Sequence, residues 1–246
     1  RSRGLGDVYK RQNLSNLRVF FLQLNSIAFI PDGNRRFARK IGISYAKAYS
    51  LGTKRAWEVL QWMTKYKSVK AGTLYTLSLE NFKRNSLEKK ILLRLFEKEL
   101  DRVKENHFLR EHNIGLKFIG RLEMFPKKLR EKMKKVEDYT SQFSKRVINL
   151  ALGYDGQAEI VDAAKKIAED YKNKKIDLNK LDPASFQNYL YSDFPNPDLI
   201  IRTSGTQRLS GFLTYQSSYS ELYFTPKYWP EFSEEDLENW KRSVEV

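Results

Sequence analysis

A chain of 246 residues, 41% hydrophobic and 13% aromatic, is long enough to bury a substantial core and too apolar for a disordered polymer. It contains no cysteine, which excludes disulfides, thiolate metal sites and cysteine nucleophiles, and fits a reducing, cytoplasmic setting. With 45 Lys and Arg against 30 Asp and Glu, the net charge of +15 attracts polyanions: nucleic acid, anionic lipid headgroups or phosphorylated small molecules.

Residues 1–25 read as a lead. Its first dozen, RSRGLGDVYKRQ, resemble translated linker sequence and are set aside as non-native. The apolar stretch 17–30 is shorter than the roughly 18 to 20 residues needed to span a bilayer, and Arg18, Gln23 and Asn25 interrupt it. Strand-length apolar runs follow at 26–30, 71–77, 114–119, 146–152 and 198–201. Between them, helices are predicted over 46–65, 87–108, 126–143, 156–172 and 180–191. Within 87–108, Leu92, Phe96, Leu100 and Val103 recur at helical steps and mark one buried face. His107 and His112 belong to the surface of this segment and make no two-histidine metal site. The lysines of KKLREKMKK, 127–135, read as a solvated helix face. Such alternation implies βαβ crossovers, hence a single α/β domain over 26–240: a mainly parallel sheet flanked by helices, with a tail at 241–246.

In open α/β sheets, ligands bind beyond the carboxyl ends of the strands. Three polar segments lie there: PDGNRRFARK after the first strand, SLENFKR after the second and RTSGTQRLS after the fifth. Arg36, Arg84, Arg202 and Arg208 sit just past strand ends, and guanidinium forks suit phosphate oxygens. Gly33 lets backbone N–H groups approach an anion at the start of the following helix. These features outline one or two diphosphate sites. Asp32, a carboxylate amid cations, suits Mg²⁺ shared with substrate phosphates, and Glu221 in YSELYF is a candidate second carboxylate. Pro-Asp-Gly-Asn is also plain turn chemistry, so Asp32 or Asn34 as a helix cap stays open at this level. No GxxxxGK[ST], HExxH or Ser-His-Asp signature is present, which leaves metal, arginine, amide and hydroxyl groups to do any chemistry.

The segments IPDGNRRFA, SLENFKR and RTSGTQRLSGFLTYQSSYSELYFTPKYWPEF together resemble the cis-prenyltransferases, the undecaprenyl diphosphate synthase-like family, in register from about Ser26 to Trp240. The resemblance implies a Mg²⁺-dependent enzyme that condenses an allylic diphosphate with isopentenyl diphosphate, making a cis double bond at each cycle. By position, Asp32 would hold Mg²⁺ and assist departure of the allylic diphosphate, with Glu221 completing the metal site. Gly33, Asn34, Arg35 and Arg36 would cradle that diphosphate, and Phe37 would pack beside the isoprenoid. Ser78 and Asn81 would flank the reacting carbons, Asn81 as the candidate for proton removal, with Leu79, Glu80, Phe82 and Arg84 in support. Arg202, Arg208, Leu209 and Ser210 would bind isopentenyl diphosphate. A homodimer and a tunnel for the growing chain are also implied; the net charge of +15 would hold such an enzyme near anionic membranes, and neither a basic stripe with interleaved aromatics nor a binding motif points to a nucleic-acid partner. An inert partner subunit would have lost Asp32 or the arginines, which this chain keeps. It departs from the family pattern at Ser26 (usually histidine), Arg35 (often glycine), Tyr45 and Tyr49 (often arginine and histidine), and Leu77-Ser78-Leu79 (often Phe-Ser-Ser). Those changes leave the allylic primer, the product length and the regiochemistry of condensation open.

Overall fold

A computed structural model describes residues 24–83, 86–192 and 194–244; the lead at 1–23, including the dozen residues set aside above, lies outside them. Six parallel strands form one sheet: β1 (Ser26–Ile30), β2 (Ala71–Ser78), β3 (Ile114–Ile119), β4 (Arg146–Tyr154), β5 (Leu199–Arg202) and β6 (Glu221–Phe224). Their order is β3-β4-β2-β1-β5-β6. The chain leaves β1 toward β2 on one side and later returns to β5 on the other. The strand order therefore reverses direction at β1, and the crevice beyond the carboxyl ends of β1 and β5 is the switch point where such sheets bind ligands.

All five residues of β1 are buried, as expected for a central strand covered on both faces. Its side chains alternate between two cores. Ile27 and Phe29 join the larger one, with Val59, Leu60 and Met63 of α2 (Tyr45–Thr64), Leu100 of α3 (Ser86–Arg102) and Leu237 of α8 (Glu234–Val244). Ala28 and Ile30 join the smaller one, with Tyr154, Ile200 and Phe212. Around Phe29 the rings of Trp229 and Phe232 each lie 6.3 Å away, so the C-terminal WPEF segment is pinned under the central strand.

The remaining helices are α1 (Asn34–Ile41), α4 (His107–Glu111), α5 (Lys127–Thr140), α6 (Gly156–Lys172) and α7 (Pro183–Gln187). Two predicted helices are corrected. The segment 87–108 is not continuous: α3 ends at Arg102, and Asn106 caps a new helix by accepting from the Phe108 N–H. The helix expected over 180–191 shrinks to α7, because Asp182 and Ser185 form a capping box with Pro183 at the first turn, which starts the helix late. Strand β6 and helix α8 were not expected; a four-residue strand among turn residues has too little periodicity to be seen. The lysine face of α5 is partly engaged, since Lys128 and Lys132 reach Glu97 of α3 at 3.3 and 2.9 Å. His107 is exposed and His112 lies against the Phe108 ring, at 4.4 Å, as expected for a helix surface.

Phe29→Ala is expected to lower unfolding free energy by about 3–5 kcal/mol, because a ring wholly removed from water leaves a cavity that Trp229 and Phe232 cannot fill. Urea unfolding at neutral pH measures it.

Candidate active site

Strand β1 ends at Ile30, and Pro31, Asp32 and Gly33 turn the chain into α1. Gly33 has φ of 101°, in the left-handed region, and a Cβ there would sit 2.6 Å from the Tyr228 ring and 2.9 Å from Ser204 Cβ. Only glycine allows that approach. Helix α1 has no side-chain cap at its N-terminus and no acid in its first turn. Its unpaired N–H groups and the positive end of its dipole therefore stand beside Arg35 and Arg36.

Asp32 is held at both backbone and side chain. Its N–H donates to Thr203 Oγ1 at 2.9 Å, while that hydroxyl donates to the Asp32 carbonyl at 2.7 Å. The Trp229 N–H reaches the same carbonyl at 3.0 Å. One carboxylate oxygen, Oδ2, accepts from Arg202 Nη2 at 2.9 Å and from Arg36 Nη2 at 3.2 Å. Burial alone would raise the Asp32 pKa, but the hydrogen bonds from Arg202 and Ser204 and the charges of Arg202 and Arg36 outweigh it. The carboxyl is thereby held below its ordinary value of 3.8 and is ionised at neutral pH.

Arg202 is buried, its side chain 6% exposed, and it links three segments. Its other terminal nitrogen donates to the Arg208 carbonyl and, at 2.7 Å, to Ser210 Oγ. Its Nε is buried with no hydrogen-bond partner. Arg36 donates to Ser204 Oγ at 2.5 Å and lies over the Tyr228 ring at 5.7 Å. The loop between β5 and β6 is curled by left-handed residues, Ser204, Gly205, Ser210, Gly211 and Leu213. Two contacts seat it: the Gly156 N–H on the Gly211 carbonyl at 2.6 Å, and the Tyr75 ring stacked on Phe212 at 4.6 Å. The curl turns the Arg208 carbonyl inward to Arg202 and leaves Arg208 itself exposed.

From this cluster a cavity of ≈ 510 Å³ runs back beneath α2 and α3. Its mouth carries Asp32, Gly33, Asn34, Arg35, Arg36 and Arg39; its walls are Ala56, Leu60, Leu74, Leu77, Leu92, Phe96, Leu100 and Val103. The result is a cationic entrance to an apolar channel. Arg35 is countered by Glu88 at 3.9 Å and lies over the Tyr45 ring at 5.5 Å; the Tyr49 hydroxyl donates to Glu88. The two tyrosines at family-variant positions therefore hold the Arg35 side of the mouth together.

The sequence-derived residues fall into three groups. Asp32, Gly33, Asn34, Arg35, Arg36, Arg202 and Ser210 come together, and Asn81 lines the cavity. Ser78 Oγ accepts from the Asn81 N–H at 3.3 Å and fixes the start of the 3₁₀ turn Leu79–Lys83. Glu80 is exposed, Phe82 packs edge-on against Phe125, and Leu209 packs on the smaller core. Phe37 is outside the cavity lining. Glu221 is not brought to Asp32 within one chain. It pairs with Leu199, three residues back from the Arg202–Phe224 pair, which is about 10 Å along the strand. Arg84 lies outside the described residues. Sequence reasoning missed Arg39, Thr203, Ser204 and Tyr228. Thr203 and Ser204 stood within RTSGTQRLS, and their small polar side chains were the signal; Tyr228 had none.

One carboxylate at the mouth fits Mg²⁺, which takes one or two protein carboxylates and completes its shell with phosphate oxygens and water. Among the described residues no three His, Cys, Asp or Glu side chains gather into a metal cage, so the donor set suits an ion carried in on a diphosphate.

The chain is similar to known proteins. The family model Prenyltransf, undecaprenyl diphosphate synthase, matches residues 30–243. The chain is 43% identical over 212 residues to the tritrans,polycis-undecaprenyl-diphosphate synthase (geranylgeranyl-diphosphate specific) of Thermoplasma volcanium, covering 86% of this chain and 82% of the relative. It is 39% identical over 225 residues to the isoprenyl transferase of Thermus thermophilus, covering 89% and 85%. The crystal structure of lavandulyl diphosphate synthase from Lavandula x intermedia, in complex with dimethylallyl diphosphate, superposes with a TM-score of 0.86 at 31% identity, over 92% of this chain and 96% of that one.

Asp32→Asn leaves Arg36 and Arg202 without a counter-charge and should destabilise the fold at neutral pH. Because the folded pKa of Asp32 lies below its ordinary 3.8, its contribution is present above that value and is lost as pH falls through the folded one. Thermal unfolding at stepped pH is expected to show the wild-type advantage shrinking below about pH 4.

Proposed function

The chain belongs to the cis-prenyltransferase, undecaprenyl diphosphate synthase-like family, and from that membership we propose that it condenses isopentenyl diphosphate with an allylic prenyl diphosphate, in the presence of Mg²⁺, to form a cis-prenyl diphosphate. It is a transferase of prenyl groups. The observation that supports the finer reading is that Arg36 and Arg202, from distant segments, share the carboxylate of Asp32 at the entrance of an apolar cavity.

In this reading the allylic diphosphate binds at the α1 N-terminus, where backbone N–H groups, Arg36 and Arg39 face the mouth, and its hydrocarbon tail enters the channel. Isopentenyl diphosphate binds against Arg202, Arg208 and Ser210. The unpartnered Nε of Arg202 and the exposed guanidinium of Arg208 are the available donors. Mg²⁺, when bound to Asp32 and phosphate oxygens, supplies neutralisation of the charge that develops on the departing diphosphate. Asn81 borders the reacting carbons, where its side-chain carbonyl orients the isopentenyl group; as the new C–C bond forms and the allylic C–O bond breaks, that group's proton passes to the released diphosphate. The apolar walls keep water from the allylic cation.

A homodimer accounts for the placement of Glu221. Among the described residues strand β6 is one edge of the sheet, with nearby Tyr219 97% and Leu222 46% exposed. Glu221 is exposed beside them and would join a metal only at a site supplied by a second copy. Among the described residues no helix is long and apolar enough to cross a membrane; the net charge of +15 favours peripheral contact with anionic lipid.

Incubation with Mg²⁺, isopentenyl diphosphate and geranylgeranyl diphosphate, for which the Thermoplasma relative is named, should give longer prenyl diphosphates with new cis bonds. Absence of incorporation with any allylic primer would refute the reading. Asp32→Ala should lower kcat by at least about 10²-fold while the protein stays folded. Arg208→Ala should raise the KM for isopentenyl diphosphate about tenfold with little change for the allylic substrate. It is the cleaner test of that site, since the inward contact of Arg208 is made by its carbonyl.

A further inference from the structure

The segment 227–229 reaches the start of α1 from the far end of the chain. The Lys227 carbonyl accepts from the Ser204 N–H at 2.7 Å, and the Trp229 N–H donates to the Asp32 carbonyl at 3.0 Å. The two neighbours of Tyr228 thus seat Ser204 and Asp32, the residues that accept hydrogen bonds from Arg36. Tyr228 itself closes on α1 at Gly33, where an added Cβ would meet its ring at 2.6 Å. Over that ring lie Arg36 Cζ and Lys40 Nζ, 5.7 and 5.6 Å from its centroid. These cations stand one turn apart on α1 and repel each other, and an electron-rich ring attracts both. Glu231 fixes the arrangement from below: its Oε2 accepts from the Tyr228 N–H at 3.1 Å and its Oε1 from Lys40 at 2.8 Å.

We propose that Tyr228 is a positioning residue of the allylic diphosphate site: its ring face holds the Arg36 guanidinium beside the N-terminus of α1 and so sets the affinity for the anionic end of the substrate. The inference rests on the prenyltransferase reading for the identity of the ligand. Arg36 needs such a support, because its side chain is 43% exposed and a long solvated side chain loses rotamer freedom when it grips an anion. Holding it on the ring removes that freedom beforehand. Lys40 is already countered by Glu231, whereas Arg36 shares its carboxylate with Arg202, so the charge left for an incoming diphosphate is that of Arg36.

Calorimetric titration with geranylgeranyl diphosphate alone, without isopentenyl diphosphate, tests this with no turnover. Tyr228→Leu should weaken binding about two- to fivefold, and Tyr228→Phe, which keeps the ring, should bind as wild type does. In an Arg36→Met background the same Tyr228→Leu change should have no further effect, because Tyr228 acts through Arg36. Should Tyr228→Leu fail to fold, progressively fluorinated phenylalanines at 228 keep the ring's shape while weakening its negative face, and affinity should fall in step with fluorine number. In turnover, Tyr228→Leu should raise the KM of the allylic substrate and leave that of isopentenyl diphosphate within about twofold. Unchanged affinity in folded Tyr228→Leu, or across the fluorinated series, overturns the proposal. An equal loss in Tyr228→Phe overturns it by assigning the effect to the hydroxyl, and a full loss on the Arg36→Met background by severing Tyr228 from Arg36. A wild-type protein that binds the diphosphate through this ring yet incorporates no isopentenyl units defeats the functional reading and leaves the role of Tyr228 standing.

Discussion

The ion pair between Asp32 and Arg202 joins residues 170 positions apart across the point where the sheet reverses its strand order. Everything chemical in the molecule is arranged around it. The carboxylate also draws in Arg36 from α1, and the guanidinium draws in Ser210 and the Arg208 carbonyl from the β5–β6 loop. A buried arginine alone would be costly, and so would a carboxylate among apolar strand ends; together they hold each other charged in place. Thr203 reinforces the pair through the backbone, so its geometry does not depend on side-chain rotamers alone.

Placing that pair at the carboxyl ends of β1 and β5 decides where a ligand's charge and its tail can go. The anionic end is met by arginines and the uncapped start of α1, and the apolar end has one direction open, beneath α2 and α3. Helix α2 is well suited to be a wall. Gly52 lets it approach α1 closely enough that an added Cβ would meet Asn34 Oδ1 at 2.4 Å, while Ala56 and Leu60 face the channel. The sheet supplies the floor through Leu74, Leu150 and Leu116, side chains from three neighbouring strands. The cavity is thus enclosed by elements whose own burial already stabilises the fold.

The cationic character of the chain divides in two. Part of it is local and structural, such as Lys132 bridging α5 to Glu97 and Asp101 of α3, or Arg121 paired with Asp162 at 2.9 Å. A smaller part is concentrated at the mouth: Arg36 and Arg202 share one carboxylate, and Arg35 is paired with Glu88. There the cations outnumber the anions, and the deficit is what a diphosphate would fill. Net charge by itself identified neither group, because a lysine on a helix face and an arginine at a strand end count equally in a sum.

Strand positions and the parallel α/β class were legible from sequence, because β1 to β5 are mostly apolar runs of strand length separated by longer amphipathic segments. IPDGNRRFA was legible as a turn into a helix, and Gly33 carries it: its left-handed backbone lets Tyr228 and Ser204 approach closely. What tertiary structure alone decided were the relations between distant segments. It placed Arg202 on Asp32, set Glu221 three residues back from the Arg202–Phe224 pair on an edge strand, brought Thr203 and Tyr228 beside Asp32 and Arg36, and paired Trp57 with Glu99 at the cavity lining. Local sequence encodes the period and the ends of elements, which are short-range properties of the backbone. Which charge meets which depends on strand order and register, and those are fixed only when the whole sheet is buried.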